Sequence, residues 1–253
     1  MSAKAQRKRL DVLLVERGLA ESRQKAQAMI LAGEVVIAGE KASKAGLQVE
    51  ETTPVEVHSR LQKYVSRGGF KLEGALEDFH VSAQNRICLD VGSSTGGFTD
   101  CLLQHGAARV YAVDVNTDQL AWKLREDPRI VKIKRNAREL TPADLPGTAD
   151  LVAIDVSFIS VGKVLPAAAS CASEEADLVV LVKPQFELDR DDVGKGGIVR
   201  ETVLHEKAIA RVSDAAKALG LTILAAAPSR LPGAEGNQEY FLHARKGPKI
   251  KLD

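Results

Sequence analysis

The run Arg86-Ile-Cys-Leu-Asp90-Val-Gly92-Ser-Ser-Thr95-Gly96-Gly97-Phe-Thr99 passes from a short apolar stretch into a turn of small residues and then into a helical pattern. It predicts strand, turn and helix, with a nucleotide-like ligand at the turn. Ile87, Leu89 and Val91 form the β-rich part, while Gly92, Gly96 and Gly97 let backbone N–H groups approach a ligand that a Cβ would hold off. The helix expected from Phe98 to Gln104 presents free N–H groups and the positive end of its dipole at that same turn.

Working outward, Val110-Tyr-Ala-Val-Asp114 is a second apolar run ending in an acid, 22 positions after Gly92. A doubly wound fold uses such a carboxylate to hold a pair of ribose hydroxyls. The dinucleotide fingerprint needs a glycine where this chain has Ser94, so a pyrophosphate cradle is poorly supported. Asp114 by itself suits a nicotinamide dinucleotide and S-adenosylmethionine equally.

The 253 residues are 45% apolar and 27% charged, enough for one large or two smaller cores. No apolar run approaches the roughly 20 residues of a membrane helix, and the start of the chain lacks the apolar core of a signal peptide, so a cytoplasmic protein is expected. Cys88, Cys101 and Cys171 are scattered without C-x-x-C spacing, which points to a reducing compartment and no metal site. Residues 1–71 carry 13 lysines and arginines against 8 acids, and the remainder 22 against 26. A basic front end on a mildly acidic body suggests that one part holds a polyanion and the other does chemistry.

In the front end, Arg9 to Arg17 has helical apolar spacing and stops at Gly18. Ser22 caps a second helix, Arg23 to Ala32, with Ala26, Met29 and Ile30 inward and Gly33 at its end. Val35-Val-Ile37 then runs as a strand into Ala38-Gly39, and Val55-Glu-Val57 closes a small α+β unit. Arg-Leu-Asp, Ser-Arg-x-x-Ala and Gly-x-Val-x-Ile-x-Gly, with a later lysine, resemble the RNA-binding domain of ribosomal small-subunit protein S-four. Ala38 departs from that pattern, which usually has asparagine there. The resemblance implies phosphate contacts on structured RNA from Arg9, Arg23, Lys25, Lys41 and Lys44. The expected organisation is an RNA-binding domain over residues 1–58, a linker over 59–66 containing Arg60, Lys63 and Tyr64, and a second domain over 67–253.

Ser66-Arg67-Gly68-Gly69-Phe70-Lys71 opens that second domain and leads into a helix with Leu72, Ala75, Leu76 and Phe79 inward. From Arg86 onward strands are expected near 86–91, 109–115, 130–134, 151–156, 178–183, 221–227 and 239–244. Helices fall near 97–105, 117–126, 160–170 and 201–219. This alternation means a mostly parallel sheet covered by helices on both faces. The last two strands lack an intervening helix and should pair antiparallel. The fold class is α/β, a Rossmann-like seven-stranded sheet resembling the S-adenosylmethionine-dependent methyltransferase fold, with a small N-terminal α+β RNA-binding domain.

Ligands of open α/β sheets gather at the carboxyl ends of the strands. Asp155 ends the fourth strand and Lys183 the fifth, and Glu239 opens the antiparallel last strand at the same edge. An acid and a lysine there are costly to bury unless paired. Lys71, Asp155, Lys183 and Glu239 match, in order and strand position, the K-D-K-E tetrad of ribose 2′-O-methyltransferases of the FtsJ type. With the front domain and the motifs Asp-Val-Gly-x-Ser-Thr-Gly-Gly-Phe-Thr, Asp-Val-Ser-Phe, Val-Lys-Pro-Gln-Phe-Glu and Gly-x-x-Gly-Asn-x-Glu-Tyr, the chain resembles the TlyA family over almost its full length.

That resemblance implies methyl transfer from S-adenosylmethionine to a ribose 2′-hydroxyl, of a cytidine, in ribosomal RNA within ribosomal subunits. Lys183 would contact the hydroxyl and take its proton or steer it electrostatically, oriented by Asp155, while Lys71 and Glu239 would complete the charge network. Gly92, Ser94, Thr95, Gly96, Phe98, Asp114, Asn136 and Asp155 would line the cofactor. Arg67 and Lys195 would add RNA contacts, and Asp189 to Gly197 reads as a flap over RNA or an ordinary loop. The oligomeric state stays open.

Rival classes leave weaker marks. An amino-group methyltransferase wants Asn/Asp-Pro-Pro-aromatic where Asp155-Val-Ser-Phe158 stands, and a nicotinamide oxidoreductase wants the missing glycine. A non-catalytic RNA-binding or ribosome-assembly protein would give no reason for four ionisable groups to converge. The haemolysin label carried by some family members would call for a membrane span or a long amphipathic basic helix, and neither is present in the sequence.

Overall fold

The computed structural model describes residues 7–17, 19–20, 22–31, 33–37, 39–57, 63–194, 196–233 and 236–247. The chain divides into two compact units, Met1–Gln62 and Lys63–Asp253. Gly18, Ala32, Ala38, Arg60 and Lys195, and the expected end of the first domain at residue 58, lie outside the described residues.

The first unit contains β1 (Arg7–Arg9), α1 (Leu10–Glu16), α2 (Arg23–Leu31), β2 (Val35–Ile37), β3 (Glu40–Lys41), β4 (Gln48–Glu50) and β5 (Val55–Val57). Leu10, Leu13 and Leu14 of α1 meet Ala26, Met29 and Ile30 of α2 in one apolar cluster closed by Val35 and Val49. Three- and four-residue spacing puts these side chains on one face of each helix. Ser22 Oγ accepts the Lys25 N–H at 3.2 Å to start α2, and Gly33, at φ 70°, follows its end. Strand β1 pairs antiparallel with β4, and β2 pairs antiparallel with both β3 and β5.

The second unit is built on α3 (Arg67–Asp78), β6 (Ile87–Val91), α4 (Gly97–Gln104), β7 (Arg109–Asp114), α5 (Trp122–Arg125), β8 (Ile130–Lys134), β9 (Ala149–Ile154), α6 (Leu165–Ser170), β10 (Ala172–Val182), α7 (Pro184–Glu187), α8 (Thr202–Ala218), β11 (Leu221–Pro228) and β12 (Tyr240–Lys246). Among the described residues its sheet has seven strands in the order β11-β12-β10-β9-β6-β7-β8. Strand β12 runs antiparallel to both neighbours, and the remaining pairs are parallel. Alternate residues of the central strands enter separate clusters: Leu89, Val91, Tyr111 and Val113 in one, Cys88, Val110 and Ala112 in the other. Period two thus buries both faces of the sheet, as a doubly wound fold requires.

Several expected elements differ in detail. The helix expected over 117–126 is a 3-10 turn, Thr117–Gln119, followed by α5, and that over 160–170 splits at Val164 into a 3-10 turn, Val161–Lys163, and α6. Proline is tolerated in the first turn of a helix, and Pro166 stands in the first turn of α6. Strand β10 begins six residues earlier than expected and carries a register break between Ala172 and Asp177, with Glu175 at φ 64°. Residues 63–66, expected to end the linker, belong to the second unit. Tyr64 is fully buried, its ring fills the space where Gly69 has no Cβ, and the Val65 N–H donates to Asp100 Oδ2 at 2.7 Å. A buried aromatic ring secures this stretch through the area it removes from water.

Candidate active site

Strand β6 ends at Val91, and the chain then turns under β9. Gly92 takes φ 88°, and a Cβ there would overlap the Asp155 carbonyl; Gly96 takes φ 95° immediately before α4. Only glycine meets both demands without strain. Asp114, at the end of β7, accepts the Ser94 N–H on Oδ2 and the Asn116 N–H on Oδ1, each at 2.9 Å. The turn is therefore tied to the acid that the sequence singled out. Beneath it Asp90 is fully buried and accepts the Thr99 hydroxyl at 2.6 Å. Burial pushes its carboxyl up to about 7, against the Thr99 hydrogen bond, which lowers it.

Two hollows flank this turn. A cavity of about 230 Å³ is lined by Arg67, Lys71, Ser93, Thr95, Phe98 and Asp155, among others. A second, of about 500 Å³, is lined by Asp114, Gln119, Asn136, Val156 and Phe158, and shares Gly92, Ser94 and Asp155 with the first. The two are lobes of one crevice at the carboxyl ends of β6, β7 and β9. Gly96 lies beneath the turn, against Leu120 and Leu124. Asn136 accepts the Arg138 N–H at 3.1 Å, which fixes the loop at the far lobe.

The four ionisable residues form two pairs. Lys71, on α3, donates to Glu239 Oε2 at 2.5 Å, and both are almost wholly buried. Lys183, at the end of β10, lies 2.5 Å from Asp155 Oδ1 and donates to Ser157 Oγ at 2.8 Å. Lys71 and Asp155 line the same cavity, so one member of each pair faces it. Gly233 gives room to Glu239, whose carboxylate occupies the place of the missing Cβ. Each buried ammonium thus has a carboxylate beside it, which is what makes its burial tolerable.

The remaining candidates are dispersed. Arg9 and Arg23 are held on Asp11, and Lys25, Lys41 and Lys44 are exposed on the first unit. Arg67 donates to the Pro232 carbonyl at 3.0 Å, so it fastens the loop over the cavity as well as lining it. The loop after α7 is tied at several points: Arg211 to Asp189 at 2.5 Å, Lys207 to Asp192 at 2.6 Å, and Asn237 to both Val199 and Gly197. Three residues escaped the sequence argument. Ser93 Oγ is buried at the cavity wall without a partner among the described residues, Ser157 supports Lys183, and Phe158 is 92% exposed at φ 63° on the rim of the larger lobe. Ser157 and Phe158 belong to the Asp-Val-Ser-Phe motif, so their position was marked although their roles were not. Ser93 carried no signal beyond its place in a small-residue turn.

Among the described residues no group of three or more histidine, cysteine, aspartate or glutamate side chains is placed to hold a metal, and no helix is long and apolar enough to cross a membrane. A family model described as FtsJ-like methyltransferase matches residues 64–246, and one described as S4 domain matches residues 8–55. The chain is 50% identical over 243 residues to the 16S/23S rRNA (cytidine-2'-O)-methyltransferase TlyA of Mycobacterium tuberculosis, covering 95% of this chain and 91% of that one. It is 44% identical to Hemolysin A of Brachyspira hyodysenteriae, covering 93% and 98%. The solved structure named "Putative hemolysin from Streptococcus thermophilus" superposes with a TM-score of 0.76 at 42% identity, covering 96% of this chain and 90% of that one.

Proposed function

The chain belongs to the TlyA family, an S4 domain joined to an FtsJ-like methyltransferase domain, and from that premise we propose that it methylates a cytidine ribose 2′-hydroxyl of ribosomal RNA in the cytoplasm. The observation that carries this reading is the pairing of Lys183 with Asp155 and of Lys71 with Glu239 around a cavity bounded by the glycine turn. The lining of the crevice supports S-adenosylmethionine: Asp114 in the larger lobe would meet its ribose hydroxyls, and Ser93 Oγ in the smaller lobe, without a partner among the described residues, would meet a polar group of it. When bound, that cofactor supplies a methyl group activated by its sulfonium.

The protein must then raise the nucleophilicity of a neutral hydroxyl and aim it. An ammonium has three N–H groups, and Lys183 commits two of them, to Asp155 and to Ser157. The third is free to meet the ribose oxygen as negative charge develops on it. The hydroxyl proton passes to the Asp155 carboxylate, which lines the cavity beside Lys183, as the new O–CH3 bond forms. Lys71 and Glu239 hold α3 against the last strand and thereby fix the wall where the acceptor nucleotide enters. Lys25, Lys41 and Lys44, with Arg9 and Arg23, supply backbone contacts to ribosomal subunits.

The test is transfer of a tritiated methyl group from S-adenosylmethionine to unmodified small subunits, large subunits and naked ribosomal RNA. The wild type should label at least one, at positions recovered as alkali-resistant dinucleotides. Lys183→Ala should lose roughly 10²–10⁴ in rate while still binding the cofactor, the range spanned by general acid–base groups. Label in no substrate, from a protein that binds the cofactor, would discard this reading.

A further inference from the structure

Asp11 is a heavily used carboxylate of the first unit. Its side chain is fully buried, yet it accepts four hydrogen bonds: Arg9 Nε at 3.0 Å on Oδ1, and Arg9 Nη2 at 2.9 Å, Arg23 Nε at 2.9 Å and Gln27 Nε2 at 2.8 Å on Oδ2. These bonds hold the carboxyl well below the usual carboxylate range, chiefly the two from Arg9, against the opposing effect of burial. The two arginines are not buried with it: their side chains are 42% and 55% exposed.

One guanidinium would satisfy one buried carboxylate. Two guanidinium groups on a single acid leave a net positive charge at the surface, fixed in orientation. Among the described residues Arg9 Nη1 and both terminal nitrogens of Arg23 carry no hydrogen bond. Gly46 lies against Arg9 Nη1, where a Cβ would approach to 3.3 Å, and the Asp11 N–H donates to the Ala45 carbonyl at 3.2 Å. The backbone contact at Ala45 brings Lys44, exposed, next to the same place. The uncommitted edges of two guanidinium forks beside a lysine suit a run of phosphate oxygens.

We propose that Asp11 is a positioning residue that holds Arg9 and Arg23 as a preformed clamp for the phosphate backbone of structured RNA. The proposal rests on the reading of the first unit as RNA-binding. A free arginine loses much rotamer freedom on meeting a phosphate, and the clamp removes that loss before the RNA arrives. The sign of the effect is diagnostic. Electrostatics alone makes Asp11 unfavourable beside a polyanion, so neutralising it would tighten RNA binding. Positioning makes it favourable, so neutralising it weakens binding.

The experiment compares the full-length protein with Asp11→Asn, Arg9→Lys and Lys41→Glu/Lys44→Glu, measuring affinity for protein-free ribosomal RNA over a salt series, methyl-transfer kinetics and thermal melting. If a released guanidinium takes up the clamped rotamer about one time in ten, Asp11→Asn raises the apparent Kd roughly tenfold. The salt slope should stay near the wild-type value because both arginines keep their charge, and KM for RNA should rise with kcat unchanged. Arg9→Lys, which keeps the charge and loses the fork, should weaken binding similarly, and adding Asp11→Asn to it should cost less than Asp11→Asn alone.

Equal or tighter binding by a folded Asp11→Asn protein overturns the proposal. Should that variant melt below the assay temperature, Arg9→Lys decides: unchanged affinity overturns the clamp, and a loss near tenfold supports it. Unchanged binding by Lys41→Glu/Lys44→Glu together with Arg9→Lys would instead remove RNA from the first unit altogether.

Discussion

The crevice of the second unit has a sealed side and an open side, and each uses acids differently. Glu239 and Asp90 are sealed, with 2% and 0% of their surface exposed; Asp155 and Asp114 are partly open and line the larger lobe. A sealed carboxylate cannot exchange its partner for a ligand without opening the fold, so Glu239 and Asp90 act on structure. An open one can trade contacts as a ligand arrives. Burial rather than residue type separates scaffold from binding surface here.

The sharpest way to break this comparison is to remove one acid from each side. Glu239→Ala leaves the Lys71 ammonium buried and unpaired, and losing one partner of a buried pair costs about 3–5 kcal/mol. Glu239→Gln, whose amide oxygen still accepts from Lys71, should lose clearly less. Asp155→Ala should also lose less, because Lys183 keeps Ser157 and the opening admits water. Denaturant unfolding of the three variants checks the order, and equal losses for Glu239→Ala and Asp155→Ala would erase the distinction.

Much of this arrangement was legible in the sequence and some was not. The glycine turn, Asp114 and the succession of strands with its antiparallel last pair followed from local patterns, since period-two alternation and positive-φ glycines leave marks in adjacent residues. The expectation that Asp155 orients Lys183 came through the family resemblance, and the direct contact of Lys71 with Glu239 was not read. Lys71 and Glu239 are 168 residues apart, and their contact depends on β12 entering antiparallel beside β10 with Gly233 making room. Tyr64 was misassigned to a linker because its neighbours are polar, and the glycine that accommodates it comes five residues later. Asp11 looked like part of a motif, while its role as a hub for Arg9, Arg23 and Gln27 required α1 and α2 to be packed.

The other sealed acid supplies a pH test. Asp90 titrates at about 7, raised above the usual carboxylate range by burial, so the folded state binds its proton more tightly than the unfolded chain does. Its contribution to stability is therefore full below the ordinary carboxylate range and is lost as pH rises through about 7. Asp90→Asn replaces it with a neutral side chain of the same shape. The variant should lack this loss, up to about 1.4 kcal/mol per pH unit, so it should gain on the wild type as pH rises from the ordinary carboxylate range to about 7 and hold that gain above it. Parallel stability curves for the two proteins from pH 4 to pH 8 would mean that Asp90 is ionised throughout and that the sealed side is wetter than its geometry shows.

On the open side the effect should appear in binding and leave stability almost untouched. Asp114 keeps Ser94 and Asn116 in place through two N–H groups, and it faces the lobe where ribose hydroxyls would sit. Removing it by Asp114→Ala takes away a charged acceptor and frees Ser94, held at φ 46°, to relax toward an ordinary backbone conformation. A hydrogen bond to a charged group is worth about 1.5 kcal/mol at the low end of its range, or roughly tenfold in Kd for S-adenosylmethionine by calorimetry. Asp114→Asn, which keeps an oxygen for one of the two N–H groups, should fall between. If Asp114→Ala lowered the melting temperature as far as Glu239→Ala while leaving the Kd alone, Asp114 would belong with the sealed acids, and the boundary between scaffold and binding surface would have to be drawn nearer the rim.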